Sequence, residues 1–177
     1  VVLENCEYNL FRIENELRAS FPDMPLHPVL GDVADAASVE HVYSTHKPDI
    51  TYHAAAYKHV PMLESQVREA IRNNVCGTRT MALAADRHGC DAFVLISTDK
   101  AVRPTNVMGA SKRLAELVFQ AAAAATERRT VFTMVRFGNV LDSSGSVVRR
   151  FRKQIQEGGP VTVTHRDVIR YFMSIPE

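Results

Sequence analysis

The sequence predicts an α/β fold, in which a doubly wound parallel sheet carries helices on both faces. Short apolar runs alternate with longer helical patterns along most of the 177 residues, and this order is typical of parallel sheets. Residues 93–96 form an apolar run that ends abruptly in Ser97, Thr98, Asp99 and Lys100. Such a run is typical of a buried strand, and in open α/β sheets ligands bind at the carboxyl ends of the strands. We therefore expect these four polar residues to lie in a functional site.

Composition and charge limit the class of protein. The formal net charge is +1 and 46% of the residues are hydrophobic, so nothing indicates nucleic acid or a membrane surface as the main partner. No apolar run is long enough to cross a bilayer, and no signal peptide is visible. Cys6, Cys76 and Cys90 form no CxxC pair, which favours a reducing compartment and no structural metal. The chain has no initiator methionine, so we expect an excised piece of a longer protein.

The first half of the chain predicts three strands, each followed by a helical pattern. The strands are expected at residues 1–3, ending at Glu4, at 28–32 together with a turn, and at 50–53. In the first helix Leu10, Ile13 and Leu17 share one side, which we expect to pack inward. Asp35 is a good N-cap for the second helix. The third helical pattern extends to residue 88 and is predicted as one long helix.

The second half continues the alternation. In order, it predicts the strand at 93–96, a helix from about 107 to 125, a strand at 131–137, a polar loop at 138–145, a basic amphipathic helix at 146–157 and a short strand at 161–163. We expect one nucleotide-binding domain over residues 1–140 and the start of a second region over residues 141–177.

A dinucleotide-binding domain of the Rossmann type begins with a strand, a G-x-G-x-x-G turn, a helix, a second strand and an acidic residue. This sequence has no such glycine motif and begins where the second strand would be, so we expect a domain truncated at its N-terminus. Glu4 then falls where an acidic residue accepts hydrogen bonds from the adenine ribose. A carboxylate there repels a 2′-phosphate and favours NAD, although NADP stays possible. The alternative is that Glu4 is a solvated residue at a strand end.

Seven motifs occur in one order along the chain. They are Gly31-Asp-Val-Ala-Asp35, His53-Ala-Ala-Ala-Tyr-Lys58, Asn73-Asn74, Ser97-Thr-Asp-Lys100, Met108-x-x-x-Lys112, Arg136-Phe-Gly-Asn-Val140 and Val163-Thr-His-Arg-Asp-Val-Ile-Arg-Tyr-Phe-Met173. Together they resemble the extended short-chain dehydrogenase/reductases, specifically the CapD-type polysaccharide-biosynthesis proteins. The best-described members are UDP-N-acetylglucosamine 4,6-dehydratases. The resemblance covers essentially the whole chain and implies a role in making surface polysaccharide, such as capsule or lipopolysaccharide.

The resemblance also implies cofactor-binding residues. Those expected along the cofactor are Glu4, Asp32, Val33, Ala54, Ala55, Ala56, Lys58, Asn74 and Lys112. Asp32 and Val33 would line the adenine pocket. The alanines are small, so they would let the backbone approach the ligand. Lys112 matches the lysine that holds the nicotinamide ribose and lowers neighbouring pKa values through its charge.

The implied reaction is an oxidation of the sugar at C4 by NAD, loss of water across C5 and C6, and return of the hydride to C6. Thr98 matches the family's site hydroxyl, and Asp99 and Lys100 supply an acid and a base. In the related dTDP-glucose dehydratases a Thr-Asp-Glu run does this, with Asp as the acid and Glu as the base. A lysine must lose its proton to act as a base, so Lys100 needs a depressed pKa from burial or from a nearby cation such as Lys58 or Lys112.

One position departs from the usual reductase pattern Tyr-x-x-x-Lys, because Met108 stands in place of the tyrosine. A thioether cannot take the hydroxyl proton during hydride transfer. A subset of the family is similar in having methionine there, so the substitution is compatible with activity. Another base must serve, and the sequence leaves open whether this is Asp99 or a water molecule held by Thr98.

The resemblance further implies a UDP-sugar substrate and a homo-oligomer. Asn139, Ser146 and Arg170 are expected near the diphosphate of the sugar nucleotide, since a guanidinium fork suits phosphate oxygens. The region from residue 141 onward would thus begin the sugar-nucleotide-binding part. Members of this family often carry an amino-terminal membrane region, but nothing in these residues indicates one, so we expect a cytoplasmic catalytic portion.

Other interpretations of the same residues stay open. Thr98 and Asp99 are both good N-cap residues and could cap the next helix. Met108 could be plain core packing, and His53 could be a hydrogen-bonded structural residue. At the level of function, a nucleotide-sugar 4-epimerase uses the same scaffold but does not need the Asp99–Lys100 pair. A non-catalytic nucleotide-binding module would fit Met108 and the missing glycine motif.

Overall fold

The fold was obtained as a computed structural model that describes residues 1–124, 130–141, 147–163, 166–167, 169, 171–174 and 176. It forms two compact units, Val1–Val135 and Arg136–Glu177. Over the described ranges, none of the helices has the length and apolar character needed to cross a membrane.

Strands and helices alternate along the described part of the chain. The strands are β1 (Val2–Glu4), β2 (Pro28–Leu30), β3 (Ile50–His53), β4 (Ala92–Thr98) and β5 (Val131–Phe137), followed by β6 (Asn139–Val140) and β7 (Phe172–Met173). The helices are α1 (Glu7–Ser20), α2 (Ala36–His46), α3 (Val60–Glu64), α4 (Val67–Ala70), α5 (Thr78–Arg87), α6 (Val107–Ala123) and α7 (Val147–Gln156). A π-helical turn, here called the π segment, spans Ile71–Gly77, and a 3-10 turn spans Asp99–Ala101.

The strands pair in parallel, which confirms the predicted α/β class. β1 pairs with β2, and Val2 lies opposite Pro28. In the second sheet β4 lies between β3 and β5, and Ile50 of β3 lies opposite Ala92 of β4. β6 and β7 form a further parallel pair. Helices connect the parallel strands because parallel neighbours need a long crossover.

The core lies between β4 and the helices packed on it. Phe93 and Leu95 of β4 are fully buried. They alternate along the strand with more exposed residues, because successive side chains of a strand point to opposite faces of the sheet. Phe93, Phe119 of α6 and Phe132 of β5 form an aromatic group with ring centroids 5.1–6.1 Å apart. Such tilted, stacked and edge contacts add to the hydrophobic burial, so this group fixes α6 against the sheet.

Several predicted elements differ from the structure. β4 is longer than residues 93–96 and includes Ser97 and Thr98. The predicted inward side of α1 is wrong at Ile13, which is 41% exposed while Leu10 is buried. The pattern up to residue 88 is not one helix, because α3, α4 and the π segment precede α5.

In the second unit two predictions are corrected. The predicted strand at 161–163 is not formed, because the N–H of Thr162 donates to the Gln154 side chain at 3.1 Å instead of to a neighbouring strand. The predicted loop at 138–145 contains β6, whose partner β7 lies about thirty residues further on. Asn139 N donates to Tyr171 O at 3.2 Å. Pairing over such a separation leaves no local signal in the sequence.

Gly109 is predicted to be irreplaceable in α6. A Cβ at this position would collide with the Lys100 carbonyl oxygen and lie 3.2 Å from Pro104 Cβ. Gly109→Ala should therefore lower the free energy of unfolding by about 1–3 kcal/mol, although alanine is the better helix former. Urea denaturation measures this change.

Ala110→Gly is the matched control for that change. Ala110 is exposed, so this variant should cost only the helix propensity of about 1 kcal/mol. A Gly109→Ala protein more stable than the wild type would contradict the close approach of α6 to the Asp99–Ala101 turn.

Candidate functional site

The polar cluster predicted at the end of β4 is present. The Thr98 hydroxyl donates to Asp99 Oδ1 at 2.9 Å, and Lys100 Nζ donates to the same oxygen at 3.0 Å. Thr98 also caps the 3-10 turn Asp99–Ala101, accepting from Lys100 N at 3.4 Å. Thr98 therefore caps this short turn, whereas the next helix, α6, is capped by Asn106. The turn that Thr98 caps brings the Asp99 and Lys100 side chains together.

Asp99 is a carboxylate in this arrangement. Partial burial raises the pKa of Asp99, but the hydrogen bonds from Lys100 and Thr98 outweigh it, and the net effect is a lowered pKa. Asp99 and Lys100 thus form an ion pair, with side chains 46% and 30% exposed. The pair is open to solvent on one side, and a ligand can reach it.

Lys112 reaches the same strand end from helix α6. Asn106 caps this helix by accepting a hydrogen bond from Gly109 N at 2.8 Å, and Lys112 follows in the second turn. Its Nζ donates to the carbonyl oxygen of Ile96 at 2.7 Å. Burial lowers the pKa of Lys112 from 10.5 to about 8, and the nearby Glu116 carboxylate opposes the shift. Lys112 therefore remains mostly protonated at neutral pH.

Met108 lies one turn before Lys112 on the same buried face. Its side chain is 4% exposed and belongs to an apolar cluster with Leu63 and Ala70. This surrounding is the one expected of a core methionine. A thioether packed among apolar side chains neither donates nor accepts a proton, so the structure supports the packing interpretation of Met108.

Asn74 is the most fully bonded side chain near the site. Its Oδ1 accepts from Tyr57 N at 2.8 Å and from Asn73 Nδ2 at 3.1 Å. Its Nδ2 donates to Tyr57 O at 3.0 Å and to Ser111 Oγ at 2.9 Å. These four bonds fill the two donors and the two lone pairs of an amide. In this state Asn74 holds the segment after β3 against α6.

The π segment explains how Asn74 reaches both partners. Asn73, Asn74, Val75 and Gly77 are buried within it. A Cβ at Gly77 would lie 2.8 Å from Val33 Cγ2, so only glycine lets the segment pack this closely. π turns are rare and frequently occur at functional sites.

His53 at the end of β3 is a structural residue, as the sequence allowed. Its Nε2 lies 3.0 Å from Thr78 Oγ1, and that hydroxyl donates its proton to Asn74 O at 2.7 Å. Nε2 must therefore carry the proton that His53 donates to Thr78. Burial, aided by the charge of Lys112, lowers the pKa of His53 from 6.5 to about 3, so the ring is neutral at physiological pH.

A cavity of about 280 Å³ lies at the carboxyl ends of β1, β2 and β3. It is lined by Leu3, Glu4, Asn5, Asn9, Gly31, Val33, Ala54, Ala55, Ala56, Tyr57 and Asn73. Five of the predicted cofactor residues thus share one cavity. Glu4 is oriented by Cys6 N, which donates to its Oε1 at 2.9 Å. The volume is near the lower end of ligand pockets, which run from about 300 to 1,000 Å³.

The other predicted cofactor residues lie outside the lining of this cavity. Asp32 accepts from Ala34 N at 2.8 Å and from Arg72 NH2 at 2.7 Å. Burial raises the pKa of Asp32, but these hydrogen bonds outweigh it and the net pKa is lowered. Asp32 therefore ties the turn after β2 to the π segment. Lys58 is exposed.

The predicted substrate residues belong to the second unit. Asn139 Nδ2 donates to Tyr171 O at 3.1 Å, so this side chain joins β6 to the start of β7. Ser146 and Arg170 lie outside the described residues. In the described part of the chain, no three or more His, Cys, Asp or Glu side chains are grouped as metal ligands.

Sequence reasoning missed three residues of this site. Tyr57 and Ser111 are bonding partners of Asn74, and Glu116 accepts from Ser97 Oγ at 2.6 Å. A signal for Glu116 existed, because Met108, Lys112 and Glu116 follow at four-residue spacing and so share one face of α6. A charged residue on a buried face indicates a partner.

The fold and this site define a Rossmann-type α/β domain with a polar cluster at the carboxyl end of its central strand. The chain belongs to the polysaccharide biosynthesis protein family, whose sequence profile matches residues 1–177. This confirms the resemblance inferred from the motifs.

Relatives and a solved structure agree with the family. The chain is 47% identical to the probable polysaccharide biosynthesis protein EpsC of Bacillus subtilis and spans 29% of its length. It is also 47% identical to the capsular polysaccharide biosynthesis protein CapD of Staphylococcus aureus and spans 30% of it; both matches cover 100% of this chain. A UDP-glucose 4-epimerase of Rickettsia canadensis is 38% identical, and the match covers 92% of this chain and 47% of that protein. The X-ray structure of Pen from Bacillus thuringiensis superposes with a TM-score of 0.90 at 34% identity, covering 99% of this chain and 54% of that one.

Removing the Asn74 side chain should loosen the site. Asn74→Ala leaves the N–H and carbonyl of Tyr57 without their partner, so the free energy of unfolding should fall by about 2–4 kcal/mol. Amides near Tyr57 should also exchange faster with deuterium. Urea denaturation and hydrogen exchange measure the two effects.

Asn15→Ala is the matched control, because Asn15 is exposed on α1. It should leave both stability and exchange near Tyr57 close to the wild type. Unchanged exchange near Tyr57 in Asn74→Ala would contradict the role of Asn74 as a link between that segment and α6.

Burial of neutral His53 should make the protein sensitive to acid. Between pH 6.5 and about 3 the unfolded chain binds a proton that folded His53 does not, so stability falls as the pH falls. At pH 4.5 the loss from this group is about 3 kcal/mol. His53→Gln should therefore lose about that much less stability than the wild type between pH 7 and pH 4.5 in urea denaturation.

His41→Gln serves as the control, since His41 is exposed on α2. Its stability should depend on pH as the wild type does. If His53→Gln also kept the wild-type dependence, the buried neutral ring would not be the source of the acid sensitivity.

Proposed function

We propose that this chain carries the cofactor-binding and catalytic portion of a nucleotide-sugar 4,6-dehydratase. The substrate is UDP-N-acetylglucosamine, the cofactor is NAD, and the product is a UDP-4-keto-6-deoxy sugar for surface polysaccharide. The observation that carries the proposal is the Asp99–Lys100 pair, held 3.0 Å apart at the carboxyl end of the central strand. Water elimination needs an acid and a base side by side, whereas C4 epimerisation does not.

The cavity residues fit the adenosine half of NAD. Glu4 faces the cavity with one oxygen held by Cys6 N, and a carboxylate at the end of this strand suits ribose hydroxyls and disfavours a 2′-phosphate. The alanines at 54–56 give a wall without bulky side chains. Lys112 is the residue for the nicotinamide ribose, since its ammonium lies at the end of β4. When bound, NAD supplies the acceptance and return of a hydride.

The charge state of the Asp99–Lys100 pair decides which residue acts as the acid and which as the base. In the ion pair Asp99 is a carboxylate and Lys100 an ammonium, so Asp99 is ready to take a proton and Lys100 to give one. In this charge state Asp99 would remove the C5 proton as the base and Lys100 would protonate the departing C6 hydroxyl as the acid, the reverse of the roles that the resemblance to the dTDP-glucose dehydratases implies. Thr98 hydrogen-bonds Asp99 and steadies the pair.

Relatives support a nucleotide-sugar substrate. CapD and EpsC bear names in capsular and other polysaccharide synthesis, and the Rickettsia canadensis relative is described as a UDP-glucose 4-epimerase. That relative favours a UDP-sugar 4-epimerase as the second candidate. Both reactions begin with C4 oxidation, so the cofactor site serves either, and the Asp99–Lys100 pair favours the dehydratase.

Mass spectrometry tests the proposal directly. The full-length protein, incubated with UDP-N-acetylglucosamine and NAD, should give a product lighter by one water molecule. Asp99→Asn and Lys100→Ala should each lower the turnover number by about 10²–10⁴-fold, the usual contribution of a general acid or base. Met108→Leu should retain activity, because Met108 packs in an apolar cluster.

Arg103→Gln is the matched control, as its side chain is exposed in the loop after the 3-10 turn and should not affect turnover. A product of unchanged mass that chromatography separates from the substrate would identify the epimerase instead. Full activity in Asp99→Asn and Lys100→Ala would exclude the proposed acid–base pair.

A further inference from the structure

Glu116 is a fully buried carboxylate that the proposed reaction does not use. Its relative exposure is 0%. Ser97 Oγ donates to its Oε1 at 2.6 Å, and Arg113 NH1 donates to its Oε2 at 2.9 Å. A buried charge is costly unless it is paired and hydrogen-bonded, and Arg113 and Ser97 supply both conditions. Glu116 is therefore a carboxylate held in a fixed place beside the end of β4.

The contacts of Glu116 run parallel to those of Lys112. Lys112 donates to the carbonyl of Ile96 at 2.7 Å, and one helical turn later Glu116 accepts from the next strand residue, Ser97. Two successive residues of β4 are thus fixed to two residues of α6 that lie one turn apart. Thr98 follows directly, so this double contact sets where the Asp99–Ala101 turn leaves the strand.

Charge adds to the geometry. Glu116 faces Lys112 on the same helix and raises the pKa of Lys112 against the lowering by burial. From β3, His53 also faces Lys112, and it is neutral because burial lowers its pKa to about 3. Arg113 approaches Glu116 from the more exposed side, with 38% of its side chain accessible. Glu116 is therefore a source of negative charge for Lys112 inside the protein.

We propose that Glu116 is a positioning residue that locks α6 onto the end of β4 and supplies the buried negative charge that balances Lys112. It touches neither substrate nor cofactor and acts through Ser97 and Lys112. Any effect of Glu116 on turnover rests on the proposed function. The location and charge of Lys112 do not rest on it, because both are measured without substrate.

The charge is tested by labelling lysines of the full-length protein with acetic anhydride between pH 6 and pH 10. Only the neutral amine reacts, and mass spectrometry compares the Lys112 peptide with the exposed Lys47. In Glu116→Gln, loss of the attraction should raise labelling of Lys112 at pH 7 about fivefold. Glu116→Asp keeps the charge and should stay within about twofold of the wild type.

Arg113→Gln is the matched control, because it removes a partner of Glu116 and leaves the carboxylate. It should not raise labelling of Lys112. Equal labelling in Glu116→Gln and the wild type, or an equal rise in Arg113→Gln, would overturn the proposal. These outcomes are independent of whether the protein turns over any nucleotide sugar.

The attachment of α6 to the end of β4 is tested separately, with a variant that can also be used if Glu116→Gln does not fold. Ser97→Ala deletes one hydroxyl and with it the 2.6 Å bond. Hydrogen bonds to charged groups are strong, so amides of residues 97–100 should exchange about tenfold faster. Labelling of Lys112 at pH 7 should stay near the wild type, since Glu116 remains. Unchanged exchange at 97–100 would overturn the locking role.

Discussion

The structure depends on two opposite charges buried between β4 and α6. Lys112 and Glu116 lie one helical turn apart, and each is bonded to the last residues of the central strand. Water cannot solvate either group well, so each depends on the geometry of the other and on the strand. A core of apolar residues would tolerate a small slip of α6 along the sheet. Charged groups with fixed partners do not, so the register of α6 and the position of the Asp99–Ala101 turn are set together.

A second constraint comes from the other side of α6. Asn74 occupies all its hydrogen-bonding groups in joining the segment after β3 to Ser111. The π segment provides the extra residue that directs Asn74 inward. The four hydrogen bonds of Asn74 offset the less favourable backbone geometry of a π turn. The two polar networks meet on one helix. The segment after β3 and the Asp99–Ala101 turn are therefore fixed to the same rigid element, which favours accurate positioning of the groups that they carry.

The sequence predicted the parts that depend on local patterns. The α/β class, β3, the Asp35 cap of α2 and the cluster at residues 97–100 follow from hydrophobic period and capping chemistry. The π segment was not predictable, since it arises from tertiary bonds of Asn74 and from the close packing of Gly77 on Val33. The β6–β7 pair was missed for the same reason, because its partners are distant in the chain. The contact between Glu116 and Ser97 was not predictable from the sequence, because the two residues are nineteen positions apart in the chain.

The cavity near Glu4 has walls from two separate sheets. Leu3 and Glu4 belong to β1, Gly31 follows β2, and residues 54–56 follow β3 of the other sheet. A molecule bound in the cavity would contact both walls at once. Any ligand that binds only the folded protein stabilises it by mass action, and at a hundred times its dissociation constant it adds about 2.7 kcal/mol to the stability of the folded state.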